Sequence, residues 1–237
     1  MNILIPMAGR GSRFNLPQYN LPKPLININQ KPLIEYVIDS LDLAGNYIFI
    51  VQKYHIDHYG VDEILKGIDP FCKIIAIDEV TDGPACSALL AKEYINNEDE
   101  LVIANCDQIM EWNSEIFLAN CRFYDGAVVT YHETSNKNSY AKLSSKGSVL
   151  QIKEKEVISN VSLNGIHYWK KGNYFVRSAE EMIRKNERYN NEFYIGPSYN
   201  HMISNRLDVG IYHIPNEQHN AVGVPEDLEN YLMRLSK

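Results

Sequence analysis

The 237-residue sequence has few cysteines and no long apolar run. Its four cysteines lie far apart, and no two of them have the Cys-x-x-Cys spacing. This scarcity argues against a disulfide framework or a zinc knuckle, so we predict reduced, buried thiols. They are Cys72, Cys86, Cys106 and Cys121. No apolar stretch approaches the roughly 18 residues that a membrane-spanning helix requires, so no membrane partner is expected.

Positive charge is also in short supply, and so are several signatures of other enzymes. The chain has 23 lysines and arginines against 30 acidic residues, a formal charge of −7. A nucleic-acid partner would require a basic face, so none is expected. The sequence contains no Gly-x-Ser-x-Gly elbow of a serine hydrolase and no Gly-Lys-Ser/Thr of a P-loop. We expect a cytoplasmic enzyme without a cleaved signal peptide, because a signal peptide would include the most informative motif.

That motif is a glycine-containing, cationic stretch near the N-terminus. A short apolar run at residues 3–6, which predicts a buried strand, precedes Met-Ala-Gly-Arg-Gly-Ser-Arg at 7–13 and Leu-Pro-Lys-Pro-Leu at 21–25. Gly9 and Gly11 allow a sharp turn and close approach of backbone N–H groups to a ligand. The cations are Arg10, Arg13 and Lys23. Together these features suit a polyphosphate, although the glycine pair alone is equally compatible with a tight turn.

Apolar strands and helical segments alternate through the first half of the chain. Continuous apolar runs predict strands at 47–51, 73–77 and 101–105. Helical spacing predicts helices from Pro32 to near Gly45, around 62–66, and from Pro84 through Tyr94. Strands that are apolar on both faces and separated by helices predict an α/β fold with a mostly parallel, Rossmann-like sheet flanked by helices. The third glycine of the dinucleotide fingerprint is missing, because Phe14 occupies its position.

After Gly126 the pattern becomes richer in strands. Strands are predicted at 127–131, 139–143 and 149–153, and a late strand at 208–214. An amphipathic helix is predicted at 175–190, and the segment 222–228 is expected to open the last helix. No Pro/Gly/Ser-rich linker divides the chain. We therefore expect a single domain over residues 1–237, with halves at 1–125 and 126–237.

Asp107 is the second candidate functional residue. It follows the fourth predicted strand in the sequence Asn105-Cys106-Asp107, and ligands of open α/β sheets gather beyond the carboxyl ends of strands. The alternative is that Asp107 caps a helix that begins near Asn113, but six residues is a long distance for a cap. We favour the functional interpretation.

The Gly-x-Gly-Ser-Arg loop followed by Pro-Lys-Pro resembles the start of the nucleoside-diphosphate-sugar pyrophosphorylases, which are nucleotidyltransferases. The resemblance implies that Mg²⁺ is bound by Asp107 and that Arg13 assists the departure of pyrophosphate from a nucleoside triphosphate. Lys23 would lie among the reacting phosphates, so the implied catalytic residues are Arg13, Lys23 and Asp107. The implied nucleotide-binding residues are Ala8, Gly9, Gly11, Ser12, Arg13, Gly83 and Asn105. For Gly83 a structural interpretation is equally good, since Gly83 could end a loop and Pro84 begin a helix.

The second half resembles the part of this family that binds the phosphorylated acceptor. The resemblance implies acceptor contacts from Glu154, Lys155, Asn164, Gly165 and Tyr194. A solvated charge run would equally explain residues 154–155, and aromatic residues near 194 are often core. The sequence departs from the family at Ala221, where many relatives have an aspartate as a second magnesium ligand. Asp208, Glu226 and Asp227 are candidates to replace it, although acidic residues in a first helical turn normally complement the helix dipole.

These features predict a magnesium-dependent enzyme that transfers a nucleoside monophosphate from a nucleoside triphosphate to a phosphorylated acceptor and releases pyrophosphate. A sugar 1-phosphate is the first choice of acceptor, in the synthesis of surface polysaccharide precursors. The alternatives are a cytidylyltransferase for a non-sugar phosphate, a GT-A-type glycosyltransferase, and a non-catalytic nucleotide-sensing subunit. The glycosyltransferase would require an Asp-x-Asp motif, whereas this chain has Asn105-Cys106-Asp107. The base and the oligomeric state are not specified, and a homo-oligomer is compatible with the sequence.

Overall fold

The computed structural model describes residues 1–14 and 16–235. The strands are β1 (Asn2–Pro6), β2 (Asn27–Ile28), β3 (Lys31–Pro32), β4 (Asn46–Gln52), β5 (Lys73–Ile77), β6 (Leu101–Ala104), β7 (Gln108–Met110), β8 (Gly126–His132), β9 (Ser139–Leu143), β10 (Val149–Glu154), β11 (Val161–Trp169), β12 (Val209–His213) and β13 (His219–Ala221). The α-helices are α1 (Leu33–Leu41), α2 (Lys53–Tyr59), α3 (Val61–Ile68), α4 (Pro84–Leu89), α5 (Lys92–Ile95), α6 (Ser114–Cys121), α7 (Gly172–Arg184), α8 (Tyr199–Ser204) and α9 (Pro225–Leu235). Short 3-10 helices lie at Ser12–Phe14, Lys23–Leu25, Gly196–Ser198 and Asn216–Gln218.

One large mixed sheet runs through both halves of the chain. Its strand order is β10-β9-β11-β6-β1-β4-β5, and β8 pairs with both β11 and β12. Strands β6, β1, β4 and β5 are mutually parallel, whereas β11 is antiparallel to β6. The predicted α/β fold with a parallel core is therefore confirmed. The antiparallel pairs β9–β10 and β8–β11 lie in the strand-rich second half of the chain.

The parallel core is buried on both faces. In β1, Ile3 and Ile5 belong to one hydrophobic cluster and Leu4 to the other, because successive side chains of a strand point to opposite faces. Helices cover these faces, which explains why the core strands are apolar throughout. Within residues 1–14 and 16–235, no helix combines the length and apolar character needed to cross a membrane.

Helix α1 is shorter than the sequence predicted. It ends at Leu41, and Asp42 adopts a left-handed conformation with φ of 49°, which closes the helix before Gly45 is reached. The expectation that the helix would extend to near Gly45 is therefore wrong. Gly45 has a packing role instead, since a Cβ atom there would lie 2.7 Å from the carbonyl oxygen of Met1.

Two other predicted helices also differ from the structure. The segment from Pro84 to Tyr94 forms α4 and α5 instead of one helix. Helix α7 begins at Gly172 and ends at Arg184, not at 175 and 190. Its start is fixed by a tertiary hydrogen bond from the Gly172 N–H to the carbonyl of Asp99 (2.8 Å), and Asn186 leaves the helix with φ of 57°.

The cysteines are all free thiols, as predicted, but only part of the burial prediction is confirmed. Cys106 and Cys121 are buried, whereas Cys72 and Cys86 are partly exposed. The alternative role of Asp107 as a helix cap is wrong. The cap of α6 is Asn113, whose side chain accepts a hydrogen bond from the Ile116 N–H (2.8 Å).

Candidate active site

The glycine loop is held at the carboxyl end of the parallel core by the neighbouring strand β4. The Met7 N–H donates to the carbonyl of Ile50 (2.9 Å). The Gln52 side-chain amide donates to the carbonyls of Ala8 (3.1 Å) and Gly9 (2.9 Å). Gln52 therefore fixes the loop, a role that we did not predict. The signal that could have identified it is its position as the last residue of a strand beside β1.

The two glycines of the loop have different structural roles. Gly11 has φ of 59°, a conformation that glycine adopts at little cost, and its carbonyl accepts a hydrogen bond from the Phe14 N–H (2.9 Å). Gly9 has no positive φ, and no atom of the described residues lies within 4 Å of the place that a Cβ would occupy. The prediction that both glycines serve the turn is therefore correct only for Gly11. At Gly9 the absent side chain leaves open space beside the loop.

Lys23 and Asp107 form an ion pair across the site. Lys23 Nζ lies 2.6 Å from Asp107 Oδ2, and the two side chains are only 17% and 19% exposed. The short 3-10 helix at Lys23–Leu25 and the end of β6 bring these two residues together. Burial alone would lower the pKa of Lys23, but Cys106 and Asp107 raise it above its ordinary value. Lys23 is therefore a charged ammonium group at neutral pH.

Two cavities meet at the glycine loop. The first, of about 540 Å³, contains the Lys23–Asp107 pair, and its wall includes Gly9, Gly11, Asn105, Tyr54, His55 and Tyr59. The second, of about 490 Å³, is lined by the other predicted nucleotide-binding residues, among them Ala8, Ser12, Arg13 and Gly83. Gly9, Arg10, Gly11 and Lys23 belong to both cavities. The structure thus brings every predicted nucleotide-binding and catalytic residue to one region.

Arg13 projects from the exposed side of the loop. It lies close enough to Lys23 and Asp227 for its charge to lower the pKa of each, although other causes dominate for both groups. Among the described residues, Arg13 forms no ion pair or side-chain hydrogen bond. Its guanidinium is therefore available for an anionic ligand.

Gly83 contacts the second half of the chain. Its φ is 122°, and a Cβ atom would lie 2.6 Å from the backbone nitrogen of Phe193. The Phe193 N–H donates to the carbonyl of Asp82 (2.8 Å), and the Ala85 N–H donates to the carbonyl of Phe193 (2.9 Å). The structural interpretation of Gly83 is therefore correct, and the residue also lines the second cavity.

Asn105 and Gly165 connect β6 to β11 next to Asp107. The Asn105 N–H donates to the carbonyl of Gly165 (3.2 Å). Gly165 has φ of 96°, and a Cβ there would lie 2.1 Å from Asn105 Nδ2. The neighbouring Asn164 is buried, and its Oδ1 accepts a hydrogen bond from the Ile166 N–H (3.0 Å). The Asn164 side chain thus stabilises the backbone where the pairing of β11 with β8 shifts register. Its contact with an acceptor stays a prediction.

The predicted acceptor residues Glu154, at the end of β10, and Lys155, just after it, are hydrogen-bonded to other side chains of the protein. Glu154 is buried, its carboxylate accepts a hydrogen bond from the Ser139 hydroxyl, and burial raises its pKa. Lys155 Nζ donates to the Tyr194 hydroxyl (2.8 Å). The interpretation of residues 154–155 as a fully solvated charge run is therefore wrong. Tyr194 is partly exposed, so it is not a core residue.

Ala221, which stands where many relatives have a second carboxylate, lies beside Asp107. Ala221 in β13 pairs with Gln108 in β7, and the Val222 N–H donates to the carbonyl of Asp107 (2.9 Å). A Cβ on Gly223 would lie 3.0 Å from Asp107 Oδ2, so this glycine, which we did not predict, leaves room at the carboxylate.

Of the three candidates to replace the second carboxylate, Asp208 is wrong, because it lies at the opposite end of the strands, where its backbone N–H donates to the Asp125 carboxylate (3.0 Å). Burial, Glu226 and Asp107 raise the pKa of Asp227, which places that carboxyl within electrostatic range of Asp107. Glu226 is exposed.

The residues present fit a magnesium ion that is completed by phosphate oxygens. Asp107 presents one carboxylate to the first cavity. Magnesium in nucleotide-dependent enzymes usually takes one or two carboxylates plus substrate phosphates. Within the described ranges, no group of three or more histidine, cysteine or acidic side chains could hold a metal ion. The substrate phosphates would therefore be part of the coordination shell.

Comparisons with known proteins found a matching family model and similar solved structures. Residues 3–155 match the family model of the MobA-like NTP transferase domain. The nucleoside-diphosphate-sugar pyrophosphorylase of Vibrio cholerae RC9 has a similar structure, with a TM-score of 0.86, 24% identity, and coverage of 98% of this chain and 99% of that one. The CTP:phosphocholine cytidylyltransferase of Streptococcus pneumoniae is also similar, with a TM-score of 0.72, 20% identity, and coverage of 99% and 98%. At these identities the likeness shows the fold alone.

Curated relatives are similar over parts of their length. The bifunctional protein GlmU of Methanocaldococcus jannaschii is 27% identical over 192 residues, which are 79% of this chain and 44% of that protein. The choline-phosphate cytidylyltransferase of Streptococcus pneumoniae is 46% identical over 112 residues, which are 44% of this chain and 47% of that protein. The matched segment thus spans less than half of either relative. Because the family model covers well over half of the chain, this protein belongs to the MobA-like NTP transferase family of nucleotidyltransferase enzymes.

Proposed function

We propose that this protein transfers a nucleoside monophosphate from a nucleoside triphosphate to a phosphorylated small-molecule acceptor and releases pyrophosphate. The observation that carries the proposal is the convergence of the glycine loop, Lys23 and Asp107 on one cavity. The cationic side chains of Lys23 and Arg13, together with a loop that has free N–H donors, suit a triphosphate. A single carboxylate at the end of β6 suits the magnesium ion that accompanies it.

In the proposed reaction, a phosphate oxygen of the acceptor attacks the α-phosphorus. A new P–O bond forms, the bond to the β-phosphate breaks, and pyrophosphate leaves with that bond's electrons. An acceptor phosphate is already ionised near neutral pH, so no side-chain nucleophile or strong base is required. The residues contribute by holding mutually repulsive phosphates together: Lys23 neutralises charge in the cavity, and Arg13 faces the departing pyrophosphate. Magnesium bound by Asp107 would supply further neutralisation of phosphate charge.

A sugar 1-phosphate is the first proposed acceptor. The similar structure of the Vibrio cholerae nucleoside-diphosphate-sugar pyrophosphorylase supports this choice, and so does that of a glucose-1-phosphate thymidylyltransferase from Bacillus anthracis (TM-score 0.76, 16% identity). A role in surface polysaccharide precursor synthesis and a cytoplasmic location are part of the proposal. So is the division into a nucleotide-binding half at 1–125 and an acceptor-binding half at 126–237.

A second candidate acceptor is choline phosphate, with CTP as the nucleotide. The specific observation in its favour is the 46% identity to the Streptococcus pneumoniae choline-phosphate cytidylyltransferase, which is higher than the identity to the GlmU proteins. The glycosyltransferase alternative has no comparable support, because the family match is to NTP transferases.

The experiment is a pyrophosphate-release assay with purified protein. CTP, UTP, dTTP and GTP are each combined with glucose 1-phosphate or choline phosphate in the presence of magnesium. We expect release with one preferred pair, and loss of release when EDTA is added or the acceptor is omitted. Absence of pyrophosphate with every combination would argue against the two acceptors, and failure of all four nucleotides to bind by calorimetry would contradict nucleotidyl transfer itself.

A further inference from the structure

A chain of three polar side chains links the two halves of the site. The Lys155 ammonium group donates to the Tyr194 hydroxyl (2.8 Å), and that hydroxyl donates to a carboxylate oxygen of Glu192 (2.6 Å). Burial and the nearby Glu192 raise the pKa of Tyr194, so the phenol keeps the proton that it donates. Glu192 therefore partners Lys155 indirectly, through a neutral hydroxyl.

Aromatic rings also fix the ammonium group. Lys155 Nζ lies 4.7 Å from the ring centroid of Tyr194 and 5.4 Å from that of Tyr189. Contacts of this kind attract a cation to the faces of the rings. The side chain is thus restrained from two sides while its remaining N–H donors stay available for a ligand.

The backbone is constrained at both ends of the hydrogen-bonded series Lys155–Tyr194–Glu192. Lys155 has φ of 51°, uncommon for a residue with a side chain, and its N–H donates to the carbonyl of Asn138 (2.9 Å). Tyr189 and Glu192 exchange two backbone hydrogen bonds around a turn whose central residues both have positive φ. At Lys155 this conformation costs energy and persists only because the surrounding structure determines it, whereas asparagine adopts it readily at 190 and 191.

Glu192 stands at the border of the two halves. It lines the cavity formed by the glycine loop and Gly83, and the next residue, Phe193, is hydrogen-bonded to both sides of Gly83. The Glu192 carboxylate accepts from the Tyr194 hydroxyl, which in turn accepts from Lys155. The position of Lys155 is therefore tied to the wall of the nucleotide cavity.

We propose that Glu192 is a positioning residue that acts through the Tyr194 hydroxyl to hold the Lys155 ammonium group where it binds the acceptor phosphate. The inference rests on the proposed function, and it gives Tyr194 a positioning role in place of direct acceptor contact. Preorganised cations bind phosphate more tightly than mobile ones, because less side-chain entropy is lost on binding.

The first test is a spectroscopic one that does not require turnover. In protein labelled with ¹⁵N at lysine side chains, the Lys155 ammonium resonance is assigned by its absence in Lys155→Arg. We expect a slowly exchanging signal in the wild type that is lost in Tyr194→Phe and weakened in Glu192→Gln. The matched control is Glu156→Gln, which removes an exposed carboxylate next to Lys155 that pairs with Lys153 instead (3.3 Å). A Lys155 signal that is unchanged in Tyr194→Phe would overturn the proposal.

The second test separates binding from chemistry with the preferred acceptor of the assay, glucose 1-phosphate or choline phosphate. We expect Tyr194→Phe to raise the acceptor KM by roughly tenfold and Glu192→Gln by a smaller factor, with little change in kcat or in the nucleotide KM. Glu156→Gln should behave as the wild type. Equal loss of kcat with an unchanged acceptor KM would contradict the positioning role. A wild-type protein that releases no pyrophosphate would instead count against the proposed function, and the resonance test would still decide this inference.

Discussion

At the scale of single residues, the site contains two opposite charges that are largely shielded from solvent. Lys23 and Asp107 are paired at 2.6 Å with less than a fifth of each side chain exposed. Electrostatic interactions are stronger in such surroundings than in water. Removing one partner therefore alters both the charge and the position of the other, and variants at this pair should have large effects.

Asp107→Asn keeps the size of the side chain but removes its charge. We expect kcat to fall roughly a hundredfold or more with magnesium present, because the carboxylate is the proposed metal ligand. Steady-state pyrophosphate release measures this, and Asp125→Asn, at the opposite end of the strands, is a suitable control. Near-normal turnover of Asp107→Asn would show that the metal assignment is wrong.

Arg13→Ala should impair the reaction without affecting the fold. The side chain is exposed, so its removal should leave the melting temperature unchanged, whereas the loss of charge beside pyrophosphate should lower kcat/KM by about a hundredfold. The control is Arg184→Ala, which removes an exposed arginine from the last turn of α7. If both variants turned over at the wild-type rate, Arg13 would have no place in the reaction.

At the scale of elements, the contact between β6 and β11 joins the two halves of the site. Gly165 lies at an irregularity in the pairing of β11 with β8, and its carbonyl accepts a hydrogen bond from Asn105, two residues before Asp107. Any shift of this part of β11 is therefore passed to the end of β6. We therefore expect the geometry around Asp107, the proposed metal ligand, to depend on this junction.

Gly165→Ala tests the junction, and Gly147→Ala is its matched control. Both glycines have φ near 90°, but a Cβ at 165 would collide with the Asn105 side chain, whereas at 147 it would meet no atom within 4 Å in the part of the chain that the structure describes. Each variant should lose about 1–2 kcal/mol of stability through backbone strain. Only Gly165→Ala should also lose nucleotidyl transfer, as denaturation and pyrophosphate assays would show. Equal activity of the two variants would mean that the contact with Asn105 is not important.

At the scale of the whole molecule, the core of the second half contains an unusual polar group. His167 on β11 is buried, its Nδ1 atom has no hydrogen-bond partner within the described residues, and its ring stacks near Trp169 and Tyr199. Burial lowers its pKa from 6.5 to about 3. The folded protein thus keeps this histidine neutral over a pH range in which the unfolded chain protonates it.

This burial predicts acid sensitivity. Between pH 6.5 and about 3 the unfolded state binds more protons at His167, so stability falls as the pH falls, by up to about 1.4 kcal/mol per pH unit for one histidine. Chemical denaturation at a series of pH values measures the slope. His167→Phe keeps a stacked ring and should show a shallower slope over this range. An identical slope in the variant would assign the acid sensitivity to other groups.

Sequence alone was sufficient to predict which residues converge on the candidate site where they are contiguous or follow a strand. The glycine loop and Lys23 lie within one short stretch, and Asp107 follows a strongly apolar strand, so these residues were predictable. The connection from Lys155 to Glu192 was not, because a tight turn and β10 bring together residues 37 positions apart. Helix limits failed for the same reason, since tertiary hydrogen bonds such as that of Gly172 determine them.

The most direct measurement is a crystal structure of the protein with magnesium and a non-hydrolysable analogue of the preferred nucleoside triphosphate. We predict that the triphosphate lies against residues 8–13 and Lys23, with the ion bound to the Asp107 carboxylate. A bound nucleotide that left the glycine loop empty, or an ion held away from Asp107, would contradict this prediction.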